Sequence, residues 1–225
     1  MTQRQNEAVD PYEFGGSIEH LRKLQRRFLK HFPDYSSVVD LGCGRGVFLE
    51  LLTEKNIKTI GVDSNCSAVQ FCKARGVKDV YCEDILEFLR EKVKLYDGIF
   101  CSQVIEHLDF GKAVSLLHLC GQALKPDGVL ILVTPNPLDI TVMGDIFWLD
   151  PSHVRPYPAG LLKSMLHKEG LSVRKVGYFR GAEGTRLRIR HIVLSALLGN
   201  QYGKDSLFVV AVKSGVCQNN GALTK

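Results

Sequence analysis

The chain has 225 residues, of which 45% are hydrophobic and 24% are charged, and its formal net charge is +5 at pH 7. These values predict one ordinary globular domain that buries a core without disulfide staples. The first thirty residues lack an apolar stretch behind a basic start, and the longest aliphatic run, Val129 to Val133, is too short for a bilayer. We therefore expect neither a signal peptide nor a membrane span. Seven cysteines without a C-x-x-C pair predict a reduced, cytoplasmic protein.

The basic residues gather in two places along the chain. Such clusters could attract nucleic acid, anionic lipid or a phosphorylated sugar. A solvated helix face is the plainer interpretation. The clusters are Arg22, Lys23, Arg26 and Arg27 early in the chain, and Arg186, Arg188, Arg190 and His191 late in it.

The chain begins with a polar lead, residues 1–16, followed by a helical period from Ser17 to Phe32. From residue 38 onward, strand and helix patterns alternate. This alternation predicts parallel strands joined by right-handed crossovers, and hence a doubly wound α/β sheet. The predicted strands cover 38–42, 57–62, 79–82, 97–101 and 128–134, and the predicted helices cover 47–55, 66–74, 85–92 and 110–124.

After Pro137 the alternation stops. Residues 138–157 predict a long connection, and connections of that size in compact domains are usually functional. A helix over 158–169, a strand over 171–179 and a final strand over 207–212 follow. The segment 181–205 is harder to assign, and its pattern predicts a basic loop and then a helix over 189–198.

The segment from Val38 to Glu50 predicts a strand, a tight turn and a helix. Gly42, Gly44 and Gly46 stand at every second position of the turn, where glycine allows positive φ and close approach of a ligand to the main chain. The spacing G-x-G-x-G differs from the dinucleotide fingerprint G-x-G-x-x-G, so it is a weak signal by itself.

Acidic residues end three of the predicted strands. Asp40 ends the first strand, Asp63 the second, and Asp84 follows the third. Because ligands of open α/β sheets bind beyond the carboxyl ends of the strands, Asp63 is expected to face the glycine turn and to accept the hydroxyls of a ribose. The alternative is that these acids only cap the helices that follow them.

Five segments in this order and spacing resemble the class I S-adenosylmethionine (SAM) dependent methyltransferases. They are DLGCGRG, GVDSN, EDILEFL, YDGIFCSQVIEHL and LKPDGVLILVTPNP, and the resemblance covers roughly residues 35–177. It implies a Rossmann-like, seven-stranded, mostly parallel sheet with the last strand antiparallel and helices on both faces. It divides the chain into a lead with a cofactor-covering helix, 1–34, and a methyltransferase domain, 35–225. The later segment FWLDPSHVRPY resembles bacterial methyltransferases of surface-polysaccharide assembly.

The resemblance implies SAM as cofactor and S-adenosylhomocysteine as product. The glycine turn would hold the methionine part, the end of the second strand the ribose, and the segment after the third strand the adenine. In relatives a short aromatic segment, here residues 10–14, folds over the cofactor. The implied cofactor residues are Asp40, Gly42, Cys43, Gly44, Gly46, Asp63, Ser64, Asp84, Ile85, Ser102 and Gln103.

An alcohol acceptor must lose its proton as the bond to the methyl group forms, and a histidine can take a proton near pH 7. His153 is the favoured base and His107 the second choice. Asp150 belongs to the same group, and Arg155 would suit an anionic acceptor. The alternative is that the segment around His153 is turn structure that ties the loop to the body.

A metal-assisted reaction is a further possibility. The segment QVIEH resembles the E-x-x-E-H element of small-RNA 3′-terminal 2′-O-methyltransferases and of quinone-pathway O-methyltransferases, in which a divalent cation lowers the pKa of the acceptor. Glu106, His107 and His153 would then be ligands. Gln103 replaces the first glutamate of that element, which weakens the site and makes a metal the less favoured prediction.

The sequence therefore favours O-methylation of a carbohydrate or another small hydroxylated acceptor. One alternative is a metal-assisted RNA 3′-terminal 2′-O-methyltransferase, prompted by the Glu106-His107 pair and the late basic cluster. Another is a SAM-binding subunit without enzymatic activity. Neither the acceptor nor the oligomeric state follows from the sequence, since specificity depends on loops.

Overall fold

The computed structural model describes residues 16–34, 36–181, 185–199 and 201–215. A seven-stranded sheet runs through the molecule with the strand order β3-β2-β1-β4-β5-β7-β6. Strands β1 to β5 pair in parallel, and β7 is antiparallel to both of its neighbours, β5 and β6. The strands are β1 (Ser37–Leu41), β2 (Lys58–Asp63), β3 (Val80–Cys82), β4 (Tyr96–Ser102), β5 (Leu124–Pro135), β6 (Leu171–Phe179) and β7 (Ser206–Lys213).

The predicted fold class is confirmed, including the antiparallel last strand. Eight α-helices are present in the described residues, and one turn of π-helix (Val142–Ile146) lies in the long connection after β5. The helices are α1 (Ile18–Gln25), α2 (Val47–Thr53), α3 (Cys66–Ala74), α4 (Ile85–Leu89), α5 (Phe110–Ala123), α6 (Phe147–Leu149), α7 (Ala159–Lys168) and α8 (Thr185–Leu198).

Alternate residues of the central strands face two hydrophobic layers, as the two-residue period of a strand requires. On β4, Ile99 and Cys101 face a cluster that packs under α4, α5 and α7, whereas Phe100 faces a second cluster under α1 and α2. Gly98 has no room for a side chain, because a Cβ there would lie 2.3 Å from a ring carbon of Phe32. The site is therefore carried on a sheet that is buried on both faces.

Three local predictions were inaccurate. The helix predicted to run to Phe32 changes at Arg26 into a 3₁₀ helix (Arg26–His31). The last parallel strand, predicted over 128–134, already begins at Leu124, and Asp127 within it has a φ of 62°. The long connection after Pro137 contains helical turns because Asp139 accepts hydrogen bonds from the N–H groups of Thr141 and Val142.

The expectation of fully reduced cysteines is also wrong at one pair. Cys66 at the start of α3 and Cys82 at the end of β3 form a disulfide. The pairing of β2 with β3 brings the two cysteines together, which the spacing alone did not reveal. Cys43, Cys72, Cys101 and Cys120 are free thiols in the interior.

No helix in the described parts of the chain has the length and apolar character needed to cross a membrane. The predicted cofactor-covering segment, residues 10–14, lies outside the described residues.

Candidate functional site

The turn after β1 has left-handed backbone at all three of its glycines. Gly42, Gly44 and Gly46 have φ angles of 74°, 50° and 71°. A residue with a Cβ adopts such angles at a cost of roughly 1 kcal/mol. A Cβ at Gly42 would in addition lie 2.3 Å from Cγ2 of Val104. Both the backbone conformation and the small space around position 42 thus require glycine there.

Asp63 lies against this turn at the carboxyl end of β2. Its Oδ2 accepts a 2.8 Å hydrogen bond from the main-chain N–H of Gly44, and its Oδ1 accepts one of 2.8 Å from the N–H of Asn65. Each carboxylate oxygen has two lone pairs, so both can still accept a hydroxyl. The structure therefore joins the glycine turn and Asp63 into one wall.

Two of the predicted cofactor residues stand behind this wall. Asp40 is 3% exposed, and burial, reinforced by the nearby charge of Asp63, raises the pKa of its carboxyl group well above the usual range. Gly46 packs against the interior, where a Cβ would lie 2.8 Å from Sγ of Cys72. Both residues shape the turn from inside.

Asp84 caps the helix that follows it, which is the alternative role of an acid at the end of a strand. Its Oδ1 accepts hydrogen bonds from the N–H groups of Leu86 and Glu87 at the start of α4. The residue nevertheless lines the same cleft as Asp63, and so does Ile85. Capping fixes the orientation of the Asp84 carboxylate at the cleft wall.

The cleft between these elements is open and has a volume of about 700 Å³. Helix α1 contributes Leu21 and Gln25 to its wall, and the buried Oε1 of Gln25 lacks a hydrogen-bond partner among the described residues. These features suit a polar nucleoside ligand, because the cleft offers the unpaired oxygen of Gln25, the exposed main chain of the glycine turn and the carboxylates of Asp63 and Asp84. The residues predicted for the cofactor that line the cleft are Gly42, Cys43, Gly44, Asp63, Ser64, Asp84, Ile85, Ser102 and Gln103.

Several lining residues were not predicted. The asparagine two positions after Asp63 was detectable, since Asn65 occupies the N-cap of α3 and accepts from the N–H groups of Ser67 and Ala68. The α1 residues carry no sequence signal, because helical periodicity does not say which ligand a face meets. The unpredicted lining residues are Leu21, Gln25, Arg45, Val47, Asn65, Val104, Leu108 and Ser152.

At one end of the cleft, His107 and His153 face each other with ring centroids 4.6 Å apart. Nδ1 of His153 lies 2.7 Å from the carbonyl oxygen of Phe147. A carbonyl can only accept, so Nδ1 carries the proton in the neutral ring. Nε2 of His153 is then the nitrogen with the lone pair in the neutral ring, and it lies 3.8 Å from Oδ2 of Asp150.

His107 is oriented through Ser152. The hydroxyl of Ser152 donates to the Asp150 carboxylate, and its oxygen lies 2.9 Å from Nδ1 of His107. Since the hydroxyl proton is used by the carboxylate, Nδ1 of His107 donates to Ser152, and Nε2 again keeps its lone pair. Burial, followed by the neighbouring His153, lowers the pKa of His107 and favours the neutral ring. The pKa of Asp150 is lowered, and the main cause is the hydrogen bond that its carboxylate accepts from the Ser152 hydroxyl.

Glu106 is fully buried beside the histidines. Burial raises its pKa to about 8, and its Oε2 accepts a 3.0 Å hydrogen bond from Oγ1 of Thr134. Its Oε1 is buried without a hydrogen-bond partner in the described part of the chain. The main-chain oxygen of Glu106 accepts from the N–H groups of Val154 and Arg155 at 2.8 and 3.2 Å, which ties the loop of His153 to the segment of His107.

The side chains of Glu106, His107 and His153 offer one ligand atom each within 4.8 Å of one another. Two imidazole nitrogens and a carboxylate oxygen form a donor set that binds divalent transition metals. The three residues named for the metal alternative therefore fit a cation in kind and in spacing.

Arg155 lies outside the cleft wall. Its guanidinium packs over the rings of Phe110 and Tyr157, at 5.4 and 5.1 Å from their centroids. Such stacking is a common structural role for arginine. The structure brings together Asp150, His107 and His153 from the predicted catalytic set, and it leaves Arg155 on the packed side of the loop.

The strand order and the cleft at the carboxyl ends of β1, β2 and β4 define a Rossmann-like cofactor-binding protein. The model of the family described as "Methyltransferase domain" matches residues 16–176. A crystal structure of a SAM-dependent methyltransferase from Archaeoglobus fulgidus is 31% identical, covers 89% of this chain and 96% of its own, and superposes with a TM-score of 0.77. The chain belongs to this family of SAM-dependent methyltransferases, and the family implies SAM as the cofactor.

Longer relatives match in sequence. The mitochondrial ubiquinone biosynthesis O-methyltransferase of Bos taurus is 28% identical over 191 residues, which are 73% of this chain and 51% of the bovine protein. The protein of Salmonella paratyphi A with the corresponding name is 30% identical over 136 residues, which are 56% of this chain and 55% of that protein. This chain spans about half the length of the relatives that carry this name.

Proposed function

We propose that this protein transfers the methyl group of SAM to a hydroxyl of a small acceptor, with His153 as the base. The observation that carries the proposal is the position of the histidine pair, whose Nε2 atoms carry the lone pairs in the neutral rings, in the same cleft as Asp63 and the glycine turn. SAM, when bound, supplies a methyl group on a positively charged sulfur, so the donor needs no further activation.

The work left to the protein is to orient the acceptor and to take its proton. The ring of His153 is fixed by its bond to the Phe147 carbonyl and by contact with the Phe147 ring at 4.5 Å. This holds Nε2 as the proton-accepting atom. His107 lies beside it as a second proton acceptor. The Asp150 carboxylate lies 3.8 Å from Nε2 of His153 and reaches Nδ1 of His107 through Ser152, so it can hold whichever ring carries the proton.

The acceptor class is argued from the loop that carries His153. Its exposed side chains are largely apolar, and Trp148 and Leu149 are 60% and 71% exposed. An aromatic or otherwise apolar acceptor bearing a hydroxyl would cover such side chains, and the ubiquinone biosynthesis relatives are O-methyltransferases by name. A sugar hydroxyl, expected from the FWLDPSHVRPY segment, is the other candidate, with Trp148 as a stacking surface.

Binding and transfer are measured separately. Isothermal titration with S-adenosylhomocysteine tests the cofactor site, and transfer from methyl-labelled SAM to a panel of catechols, hydroxyquinols and sugars tests the reaction and its acceptor. Micromolar binding and methyl ethers on one class of acceptor are expected. A folded chain that binds neither cofactor nor product contradicts the proposal.

A cation-assisted form of the same reaction is favoured by the unpartnered Oε1 of Glu106 beside two imidazole lone pairs. A divalent cation held by these three residues would lower the pKa of the acceptor hydroxyl, and the histidines would then be ligands. Because Glu106 must lose its proton to bind, cation affinity would rise with pH through about 8.

Titration of Mn²⁺ into wild-type protein and the Glu106→Gln variant at pH 7 and pH 8.5 distinguishes the cation-assisted reaction from the reaction with a metal-free histidine base. Binding that strengthens with pH and disappears in the variant supports the cation. Full transferase activity in chelator supports the metal-free base. An RNA acceptor stays a prediction, and RNA binding that weakens steeply with added salt would support it.

A further inference from the structure

The disulfide joins the two chain segments that carry the acidic residues of the cleft. Cys66 follows Asp63 by three residues, and Cys82 precedes Asp84 by two. In the parallel pairing of β2 with β3, Asp63 stands opposite Cys82. Sγ of Cys82 lies 3.7 Å from the carbonyl oxygen of Ser64, which lines the cleft. The bridge therefore borders the part of the cleft that the proposed function assigns to the nucleoside.

Few other interactions hold the strand that precedes Asp84, whereas α4 after it packs into the core through Ile85, Phe88 and Leu89. β3 is three residues long and lies at the edge of the sheet, next to β2. Val80 is its buried residue, whereas Tyr81 and Cys82 are exposed. Beyond the strand, the N–H of Glu83 donates a 3.1 Å hydrogen bond to the main-chain oxygen of Asp63. A short edge strand with one buried side chain is weakly anchored, so the covalent bridge matters for the position of β3 against the turn after β2.

Cys66 and Cys82 are also the exposed cysteines among the described residues. The four free thiols, Cys43, Cys72, Cys101 and Cys120, are buried. Burial raises the pKa of Cys101 and Cys120, and the hydrogen bond with Cys72, followed by burial, raises the pKa of the cleft-lining Cys43, so little thiolate is available at these positions for exchange. A thiol–disulfide couple in solution would therefore act on the exposed pair.

We propose that Cys66 and Cys82 form a redox-modification site that sets the affinity of the cofactor cleft. The proposal rests on the proposed function. In exchange with glutathione, the sulfur–sulfur bond takes up two electrons and two protons and becomes two thiols, while two glutathione molecules are oxidised and joined as their disulfide. In the dithiol state, β3 and the turn after β2 are held by strand pairing and the Glu83 hydrogen bond without a covalent link, so the ligand must order this edge of the cleft. Ordering on binding costs affinity, and the disulfide form binds more tightly.

The test uses the full-length chain in two redox states. Wild-type protein is equilibrated with oxidised or with reduced glutathione, its thiols are counted with Ellman's reagent, and S-adenosylhomocysteine is titrated calorimetrically. We expect the disulfide form to bind about three- to tenfold more tightly than the dithiol form. The C66S/C82S variant should bind like the reduced wild type in both buffers. The C217S variant should keep the full redox response, which excludes the cysteine that lies outside the described residues.

The outcomes are distinct. Tighter binding by the disulfide form, absent from the double variant, supports the site. Equal affinities of the two wild-type forms overturn it while leaving the cofactor assignment intact. An absence of binding in both forms removes the proposed function and this inference with it. The wild-type comparison needs no substitution, so it stands even where the double variant folds poorly.

Discussion

The main-chain N–H of Gly44 donates a 2.8 Å hydrogen bond to Oδ2 of Asp63. This bond links the turn after β1 to the end of β2, and it makes the orientation of one carboxylate depend on the left-handed backbone of a glycine. The proposed ribose site is thus one unit, and substitutions on either side of the bond should affect the same binding event.

Asp63→Asn should weaken S-adenosylhomocysteine binding at least about tenfold, or about 1.4 kcal/mol. An amide has one acceptor oxygen, so its NH₂ group would face the N–H of either Gly44 or Asn65, where the carboxylate now accepts. Calorimetric titration measures the effect. Asp109→Asn is the matched control, because Asp109 caps α5 through the N–H of Lys112 away from the cleft. Equal affinities of the two variants would remove Asp63 from the cofactor site.

Gly42→Ala should destabilise the fold by about 2–5 kcal/mol, because strain at positive φ and the clash with Val104 add together. Gly76→Ala isolates the strain, since Gly76 has a φ of 89° and no atom lies within 4 Å of the point that a Cβ would occupy there. Urea unfolding compares the two variants. The G42A/V104A variant lacks the Val104 methyl groups that would clash with the new Cβ, so it should recover part of the stability lost in G42A. Identical losses of stability in G42A and G76A would show that the space around residue 42 does not matter.

His153→Gln should lower kcat by about 10²- to 10⁴-fold while changing S-adenosylhomocysteine affinity little, since it removes the proton acceptor. His107→Gln should cost less. Steady-state transfer of labelled methyl groups measures both, and His118→Gln serves as control, because His118 bonds Glu169 away from the cleft. A larger loss of kcat in the His107 variant would make His107 the base and His153 the second proton acceptor. Unchanged rates in both variants would exclude a histidine base.

Glu106→Gln should change how stability depends on pH. The folded-state pKa of Glu106 is about 8, and the ordinary unfolded value is about 4.3, so between these values the folded protein holds one more proton than the unfolded chain. Its contribution to stability is therefore complete below about pH 4 and is lost as pH rises through about 8, with a slope of up to about 1.4 kcal/mol per pH unit.

Glutamine keeps an acceptor for Thr134 without the charge, so the variant should lose this slope and exceed the wild type in stability at pH 8. Urea unfolding at pH 5, 6, 7 and 8 measures the difference. Glu87→Gln is the control, because Glu87 forms an exposed ion pair with Arg90. The stability of this variant should depend on pH in the same way as that of the wild type. Parallel curves for Glu106→Gln would mean that this carboxyl group is ionised in the folded protein.

The parts of the site that sequence could predict are those controlled by one local rule. Glycines at alternate positions mark the turn at Gly42, and acids at strand ends mark Asp63, because the ends of parallel strands share one edge of the sheet. The distance between two loops follows no such rule. The contact of His107 with Ser152 and the packing of Arg155 on Phe110 depend on loop paths that residue types do not encode locally. The approach of Cys66 to Cys82 depends on which strands pair, which is likewise not a local property.

The segments of the two histidines are tied together by backbone, because the N–H groups of Val154 and Arg155 share the carbonyl oxygen of Glu106. The exposed side chains before that anchor, such as Ile140, Trp148 and Leu149, can therefore change without breaking the tie. Divergence among descendants of such a protein could then change which molecule is methylated while the histidine pair is inherited unaltered.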